Sequence, residues 1–325
     1  MLWLVERWQT LNVISILLWP LSLVYCILVV IRRWLYLARI LPSYSSQVPV
    51  IVVGNISVGG TGKTPFVIWL AHWLQSRGQR PGIVLRGYGG RSKHWPVEVS
   101  AHSSVTEVGD EAVLLAQQAD CPVVAAPDRV AAVRQLLSKH ACSMVISDDG
   151  MQHYRMRRDL EIAVIDGARR YGNGMCLPAG PLREPRWRAR RADMIVVNGS
   201  GEGSGPGMQI EPVHFRNIAT GETAGLDRFA DSPVHALAGI GNPQRFFESL
   251  RQLGMQITAH PFPDHHRFRK SDIFPDEDGA VIMTDKDAVK CVSFADERHW
   301  ALVVAAKPDT RIIDQLTDWL EKHLG

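Results

Sequence analysis

Residues 49–74 read PVIVVGNISVGGTGKTPFVIWLAHWL, and no other stretch of the chain leaves so few choices of fold. Val50, Ile51, Val52 and Val53 form a short β-branched run, the pattern of a strand buried on both faces of a parallel sheet. Four glycines, Gly54, Gly59, Gly60 and Gly62, precede Lys63 and Thr64. Behind them Phe66, Val67, Trp69, Leu70, Trp73 and Leu74 recur at helical spacing, and Pro65 suits a first helical turn, where its missing N–H costs nothing. A strand, a glycine loop and a helix opening on Lys-Thr make a phosphate cradle. Backbone N–H groups curl around the anion, and the helix N-terminus adds the positive end of its dipole. The usual pattern carries a glycine where Ser57 stands, a departure that Gly59 and Gly60 offset. Ser57, Val58, Gly59, Gly60, Thr61, Gly62, Lys63 and Thr64 are therefore expected to hold a nucleotide's phosphates. The fold class implied is α/β, a P-loop NTPase core with a mostly parallel sheet flanked by helices.

A chain of 325 residues allows about two domains. Its net charge of +3 is too small to select a partner, so local patterns decide. Five scattered cysteines without a CxxC pair argue for reduced thiols and against a disulfide framework or zinc site. Residues 8–31 carry no charge and are dominated by Leu, Ile and Val, about the length of a bilayer-crossing helix. Trp3, Trp8, Trp34 and Tyr36 flank the run, and Arg32, Arg33 and Arg39 follow it, which places the remainder on the cytoplasmic side. The basic cluster lies on the wrong side for a cleaved signal peptide. Pro20, Ser15 and Ser22 leave both a spanning helix and a monotopic anchor open, and a core helix of a soluble domain is the alternative.

Further along, residues 82–85 (GIVL) read as a strand running into an arginine–glycine loop at 86–91. Residues 108–112 (VGDEA) open a helix through Ala119, with Asp110 and Glu111 in its first turn as the dipole prefers. Arg129, in Pro127-Asp128-Arg129, either reaches a nucleotide phosphate or pairs with Asp128. Residues 143–150 (SMVISDDG) are an apolar strand ending in acids. Downstream of a phosphate loop, Asp148 or Asp149 at such a strand end holds Mg²⁺ directly or through water, beside the Thr64 hydroxyl. Arg183, Arg186, Arg188, Arg190 and Arg191 crowd around Trp187. That segment suits nucleic acid, anionic lipid or a phosphorylated substrate; beside an apolar N-terminus, anionic lipid is the better partner.

The run GSGEGSGPG at 199–207 marks a domain approach. The division expected is residues 1–42 as a membrane-associated helix, 43–207 as the P-loop core, 208–231 as a short β linker and 232–325 as a smaller C-terminal α/β domain. Thr284-Asp285-Lys286-Asp287 is close to the guanine-reading element of GTPases, but its lysine comes one place late, so helix capping by Asp285 or Asp287 is expected instead. Together these features suggest phosphoryl transfer. Lys63 would bridge the β- and γ-phosphates. Asp110, aided by His265 across a closing interdomain cleft, would act as base or orient the acceptor hydroxyl.

GNISVGGTGKTP, VGDE at 108–111, PDR at 127–129, SDDGMQH at 147–153, LPAGPLREP at 177–185, FPDHH at 262–266 and TDKDAVK at 284–290 resemble the tetraacyldisaccharide 4'-kinase family of the lipid A pathway. The resemblance covers nearly the whole chain. It implies transfer of the ATP γ-phosphate to the 4'-hydroxyl of a tetraacyldisaccharide 1-phosphate, giving lipid IVA, at the cytoplasmic face of a bacterial inner membrane. It places the family's catalytic Asp–His pair on Asp110 and His265, its phosphate loop on residues 60–64 and its Mg²⁺ acids on Asp148 and Asp149. Glu111, Arg129, Gln152 and Arg183 lie in matching motifs and become substrate-binding candidates. ATP and Mg²⁺ are the cofactors implied, with the lipid substrate and a membrane surface as partners; no nucleic acid and no obligate protein partner are expected. The family's usual motif near the C-domain reads Thr-Glu-Lys-Asp, and Asp285 departs from it. The competing class is a membrane-associated regulatory P-loop ATPase. Such proteins place a lysine just before the two glycines, where this chain has Val58.

Overall fold

The computed structural model describes residues 7–199, 206–273 and 279–324. Trp3 and most of the 199–207 run therefore lie outside the described residues. Among the described residues, thirteen strands form one mixed sheet. The first half of the chain alternates β1 (Val50–Gly54), α2 (Lys63–Gln75), β2 (Pro81–Leu85), β3 (Val97–Val99), α3 (Val105–Val108), α4 (Asp110–Gln118), β4 (Val123–Ala125), α5 (Arg129–Lys139), β5 (Met144–Asp148), β6 (Leu160–Asp166) and β7 (Met194–Asn198), after an N-terminal helix α1 (Val13–Leu37). The second half holds β8 (Gly207–Asn217), β9 (Thr223–Ala224), β10 (Pro233–Ala238), α6 (Pro243–Gln252), β11 (Gln256–Pro261), α7 (Lys270–Ile273), β12 (Ala280–Thr284), α8 (Asp285–Ala288), β13 (His299–Pro308) and α9 (Thr310–Leu324).

The strand order is β11-β10-β12-β13-β8-β7-β6-β1-β5-β2-β4-β3, with β9 paired to β8. β1 sits between β5 and β6, parallel to both. Its side chains alternate between two cores. Ile51 and Val53 pack with Phe66, Leu70 and Leu74 of α2, and Val50 and Val52 with Val130, Val133 and Leu136 of α5. Burial on both faces is why the run reads as continuously apolar, each side chain contributing about 1.5–3 kcal/mol.

Residues 208–231, expected as a short β linker, contribute nearly all of β8 and the short β9. β8 runs parallel to β7 on one side and antiparallel to β13 on the other, so the sheet passes unbroken between the two halves. Pro212 falls at the register shift opposite Val303 and Val304, a place where a missing N–H is tolerated.

The helix expected from residue 108 to Ala119 is instead two, broken at Gly109. Gly109 has φ +91, and a Cβ there would collide with the Tyr88 carbonyl. This close approach of the 87–90 loop ends α3 and sets Asp110 as the first residue of α4.

α1 is amphipathic in reverse. Its polar side chains face the protein: the Asn173 amide donates to Ser15 Oγ (3.1 Å), Ser22 Oγ donates to the Cys176 carbonyl (2.7 Å) and Tyr25 Oη to the Arg183 carbonyl (3.1 Å). Val13, Ile16, Leu17, Trp19, Leu21, Leu23, Val24, Ile27, Leu28, Ile31 and Trp34 are exposed. The helix runs continuously through Pro20.

The arginine-rich segment forms a 3-10 helix, Arg186–Arg191. Not all of it faces outward. Arg188 is 1 % exposed, donates to Tyr154 Oη (2.9 Å) and pairs with Glu161. Arg186, Trp187, Arg190 and Arg191 remain exposed, and the Arg33 guanidinium lies over the Trp187 ring.

Candidate active site

β1 delivers its glycine loop to the N-terminus of α2, where Gly62 takes the left-handed cap position with φ +88. Only glycine fits, because an added Cβ would meet the Asn198 amide at 2.5 Å. The loop is held from several sides. Asn198 Nδ2 donates to the Thr61 carbonyl (3.1 Å), Asn55 Nδ2 reaches Thr61 Oγ1 (3.4 Å), and Arg169 donates to the Gly60 carbonyl. Val58 N–H is committed to the Pro181 carbonyl (2.8 Å), and Ser57 bridges Leu182. These two residues anchor the loop to the 177–185 segment, so the open cradle begins after them, at Gly59. The partners Asn198 and Arg169 carry no motif of their own and are visible only in three dimensions.

Beside the loop, β5 ends in the acidic turn. Asp148 is 2 % exposed, and its Oδ1 has no hydrogen-bond partner. Burial, with the Glu111 and Asp149 charges adding to it, pushes its carboxyl up to about 7 against the pull of Lys63 and Arg129. Asp149, at φ +49, lies 3.5 Å from Lys63 Nζ and 2.8 Å from Arg183 Nη1. Against a burial penalty, those two cations hold its carboxyl well below the usual carboxylate range. A buried carboxylate oxygen without a donor is the kind of group a hard cation satisfies. No group of three or more His, Cys, Asp or Glu suited to a metal occurs among the described residues. One or two carboxylates with a threonine hydroxyl, completed by phosphate oxygens and water, is the set that fits Mg²⁺ rather than a protein-caged metal. Thr64, Asp148 and Asp149 meet that description.

Asp110 and His265 stand 155 positions apart in sequence, and the fold joins them. His265 Nδ1 lies 3.1 Å from Asp110 Oδ2, while Asp110 Oδ1 accepts from the Glu111 N–H (2.9 Å). Asp110 is 5 % exposed. Burial alone would raise its pKa, but His265, Lys286 and Lys290 bring it down to about 2. The Asp110 hydrogen bond raises the His265 pKa above its ordinary value, against burial and the Lys286 charge. The Tyr88 ring packs tilted on His265 at 5.1 Å between centroids, so the arginine–glycine loop does border the site. The loop after β10 also approaches the phosphate cradle: a Cβ on Gly241 would stand 3.5 Å from the Gly60 nitrogen.

The remaining candidates divide. Arg183 is at the acidic turn, as described. Glu111 is held by Lys286 Nζ at 3.0 Å, across the seam between the halves. Gln152 donates to the Asn55 carbonyl (3.0 Å) and to Glu184 (2.9 Å), bracing the start of the loop. Arg129 does not pair with Asp128. It is 3 % exposed and donates to the Ala126 and Asp148 carbonyls, fixing the acidic turn from behind, while Asp128 caps α5 and pairs with Arg155. The capping expectation for residues 284–287 is also corrected. Thr284 is the N-cap of α8, accepting the Asp287 N–H, whereas Asp285 accepts from Arg216 (2.8 Å) and Gln118 and Asp287 accepts the Gly239 N–H (2.8 Å).

A P-loop, a Mg²⁺-suited acidic turn and an acid–histidine pair on one sheet define a P-loop nucleotide-dependent phosphotransferase. The sequence model of the family described as tetraacyldisaccharide-1-P 4'-kinase matches residues 14–324, and the chain belongs to that family. A tetraacyldisaccharide 4'-kinase of Methylobacillus flagellatus is 46 % identical over 99 % of this chain and 98 % of its own. Those of Nitrosococcus oceani and Legionella pneumophila are 48 % and 47 % identical over 87 % and 92 % of this chain, and over 84 % and 92 % of theirs. The crystal structure of LpxK from Aquifex aeolicus in complex with ATP superposes with a TM-score of 0.79 at 31 % identity, covering 94 % of this chain and 99 % of that one.

Proposed function

We infer that the chain is an ATP-dependent tetraacyldisaccharide 4'-kinase of lipid A biosynthesis, transferring the ATP γ-phosphate to the 4'-hydroxyl of a tetraacyldisaccharide 1-phosphate. The single observation that carries this reading is near-full-length membership of the 4'-kinase family in a chain whose phosphate loop shares a seam with the Asp110–His265 pair. A regulatory P-loop ATPase has no use for such a pair.

In this reading the cradle from Gly59 to Thr64 holds the triphosphate and Lys63 moves from Asp149 onto the β- and γ-phosphates. Thr64, Asp148 and Asp149 would hold Mg²⁺, whose charge would offset that of the phosphates when bound. The Asp110–His265 pair orients the acceptor hydroxyl and takes its proton, titrating as a unit. Glu111 and Arg183 line the approach, while Arg129 and Gln152 act by bracing the acidic turn and the loop.

The reversed amphipathicity of α1 supports membrane association, since the exposed face is apolar and the polar face is already satisfied by the core. The helix touches the protein from Ser15 near its start to Tyr36 near its end, where the Tyr36 and Tyr154 rings lie 6.2 Å apart. A helix docked along its length favours an anchor lying in one leaflet, at the cytoplasmic face of the inner membrane, over one crossing the bilayer. Exposed Arg186, Arg190 and Arg191 would then meet anionic headgroups.

The test is transfer of label from γ-labelled ATP, with Mg²⁺, to tetraacyldisaccharide 1-phosphate in mixed micelles. A labelled lipid carrying phosphate at the 4'-position is the expected product; ATP hydrolysis without lipid labelling would refute the reading.

A further inference from the structure

Residues 284–290, where the sequence suggests helix capping by Asp285 or Asp287, bring a lysine up to the Asp110–His265 pair. Lys290 follows the short helix α8, and its side chain is 8 % exposed. Its Nζ lies 2.6 Å from Asp287 Oδ1, 3.3 Å from the His266 carbonyl and 3.9 Å from Asp110 Oδ2. The other oxygen of Asp287 accepts the Gly239 N–H at 2.8 Å, and the Gly239 carbonyl accepts the His265 N–H at 3.2 Å. His265 Nδ1 returns to Asp110 Oδ2 at 3.1 Å. These contacts close a ring: Asp110, His265, Gly239, Asp287, Lys290 and back to Asp110.

The geometry points to Lys290 as a positioning residue for the phosphoryl-transfer pair, fixing Asp110 by direct charge and the His265 loop through Asp287 and Gly239. The inference rests on the reading of Asp110 and His265 as the acceptor-activating pair. His265 sits in the left-handed region at φ +59, a conformation uncommon for a residue other than glycine and one that its surroundings must impose. The ring supplies that constraint from the histidine's own backbone N–H and from the next residue's carbonyl. Lys290 also gives Asp287, which is fully buried, its cation, so the ring has no unpaired buried charge. A misplacement of about 1 Å at such a pair costs on the order of 10²-fold in rate, so control of the pair's spacing is a catalytic lever.

Removing Lys290 alone strands Asp287 in the interior, so the test pairs Lys290→Gln with the double variant Asp287→Asn/Lys290→Met, which leaves no buried unpaired charge. The readouts are single-turnover transfer, the ATP KM and the ¹⁵N-histidine titration of His265 in the folded protein. The charged and titratable groups facing His265 are Asp110, Asp264, Lys286 and Tyr88, and those facing Asp110 are His265, Lys286 and Lys290; all but the variant positions are kept. Expected is a fall in transfer of about tenfold or more, an ATP KM within about twofold, and a His265 titration moved down toward the ordinary histidine value as the Asp110 hydrogen bond loosens. A folded double variant with unchanged transfer and unchanged titration overturns the proposal. A lowered Tm with an unmoved titration also overturns it, by assigning Lys290 to packing alone. Asp110→Asn is run in parallel. Full activity there sinks the reading of the pair, whereas activity lost there and retained in the double variant sinks only the role of Lys290.

Discussion

The phosphate loop and the Asp110–His265 pair belong to one site but are assembled in different ways. Lys63, Thr64 and the glycines come from a single strand–loop–helix unit, and the residues that brace them, Asn55, Asn198 and Arg169, lie in the same half of the sheet. The pair takes Asp110 from the start of α4 and His265 from the loop after β11, and the contacts Lys286–Glu111, Lys290–Asp110 and Gln118–Asp285 cross the seam beside it. On the proposed reading, nucleotide binding is a local property of one strand–loop–helix unit, while acceptor activation depends on how the two halves meet. Changes at the seam should therefore separate transfer from ATP binding, and changes in the loop should not.

The largest effect expected is at the pair. Asp110→Asn should lower transfer by about 10²–10⁴-fold with ATP affinity little changed, read by single-turnover assay and equilibrium titration. Lys63→Ala should cost about 10²–10³-fold, with weakened ATP affinity, because it removes a charge that follows the phosphates into the transition state. A Lys63→Ala protein that binds ATP normally but cannot transfer it would blur the contrast.

The pH dependence sharpens it. The proton acceptor must be free, so kcat/KM should rise with pH along a limb set above the ordinary histidine value of 6.5, since Asp110 raises the His265 pKa. In Asp110→Asn the residual activity should show that limb displaced to lower pH. The same shifts act on stability with opposite signs. The raised His265 value stabilises the fold below about 6.5 and that gain is lost as pH rises through the folded pKa. The Asp110 gain is present above 3.8 and lost as pH falls through about 2. ATP affinity should not follow the His265 limb.

The smallest effect on activity lies farthest from the seam. Leu17→Glu with Leu28→Glu, both on the exposed face of α1, should weaken partition to anionic vesicles by about 10²-fold or more, taking roughly 2.5–3.5 kcal/mol per buried acidic residue as an upper guide. Activity on a soluble acceptor analogue should stay within about twofold, because neither side chain touches the core. Vesicle flotation and a soluble-acceptor assay check the two halves of that statement.

Much of this architecture is legible in the sequence wherever function is built from neighbours in the chain. The β-branched run before the glycines, the acids after Ile146 and the uncharged N-terminal stretch each announce themselves, because a buried strand, an acidic strand end and a helix with an exposed apolar face impose local composition. What escapes is set by long-range packing. Nothing local in residues 208–217 says that they become a central strand joining two halves. Arg129 reads as a phosphate contact or a partner of Asp128 and Arg188 as one of a basic cluster, and only the fold shows them turned inward onto carbonyls and carboxylates. Lys290 closes the TDKDAVK run, yet nothing local there ties it to Asp110, 180 positions away, or to the His266 carbonyl after β11. Reverse amphipathicity in α1 needed knowledge of which face Ser15 and Ser22 turn to the core.

The central claim is that the loop binds the nucleotide and the seam activates the acceptor, and one measurement tests it most directly. ATP·Mg²⁺ affinity and single-turnover transfer to tetraacyldisaccharide 1-phosphate are determined side by side for the Asp110→Asn protein. The account predicts affinity within about twofold of the unmodified protein and transfer reduced by at least about 10²-fold. Parallel loss of both, or transfer at the unmodified rate, would contradict it.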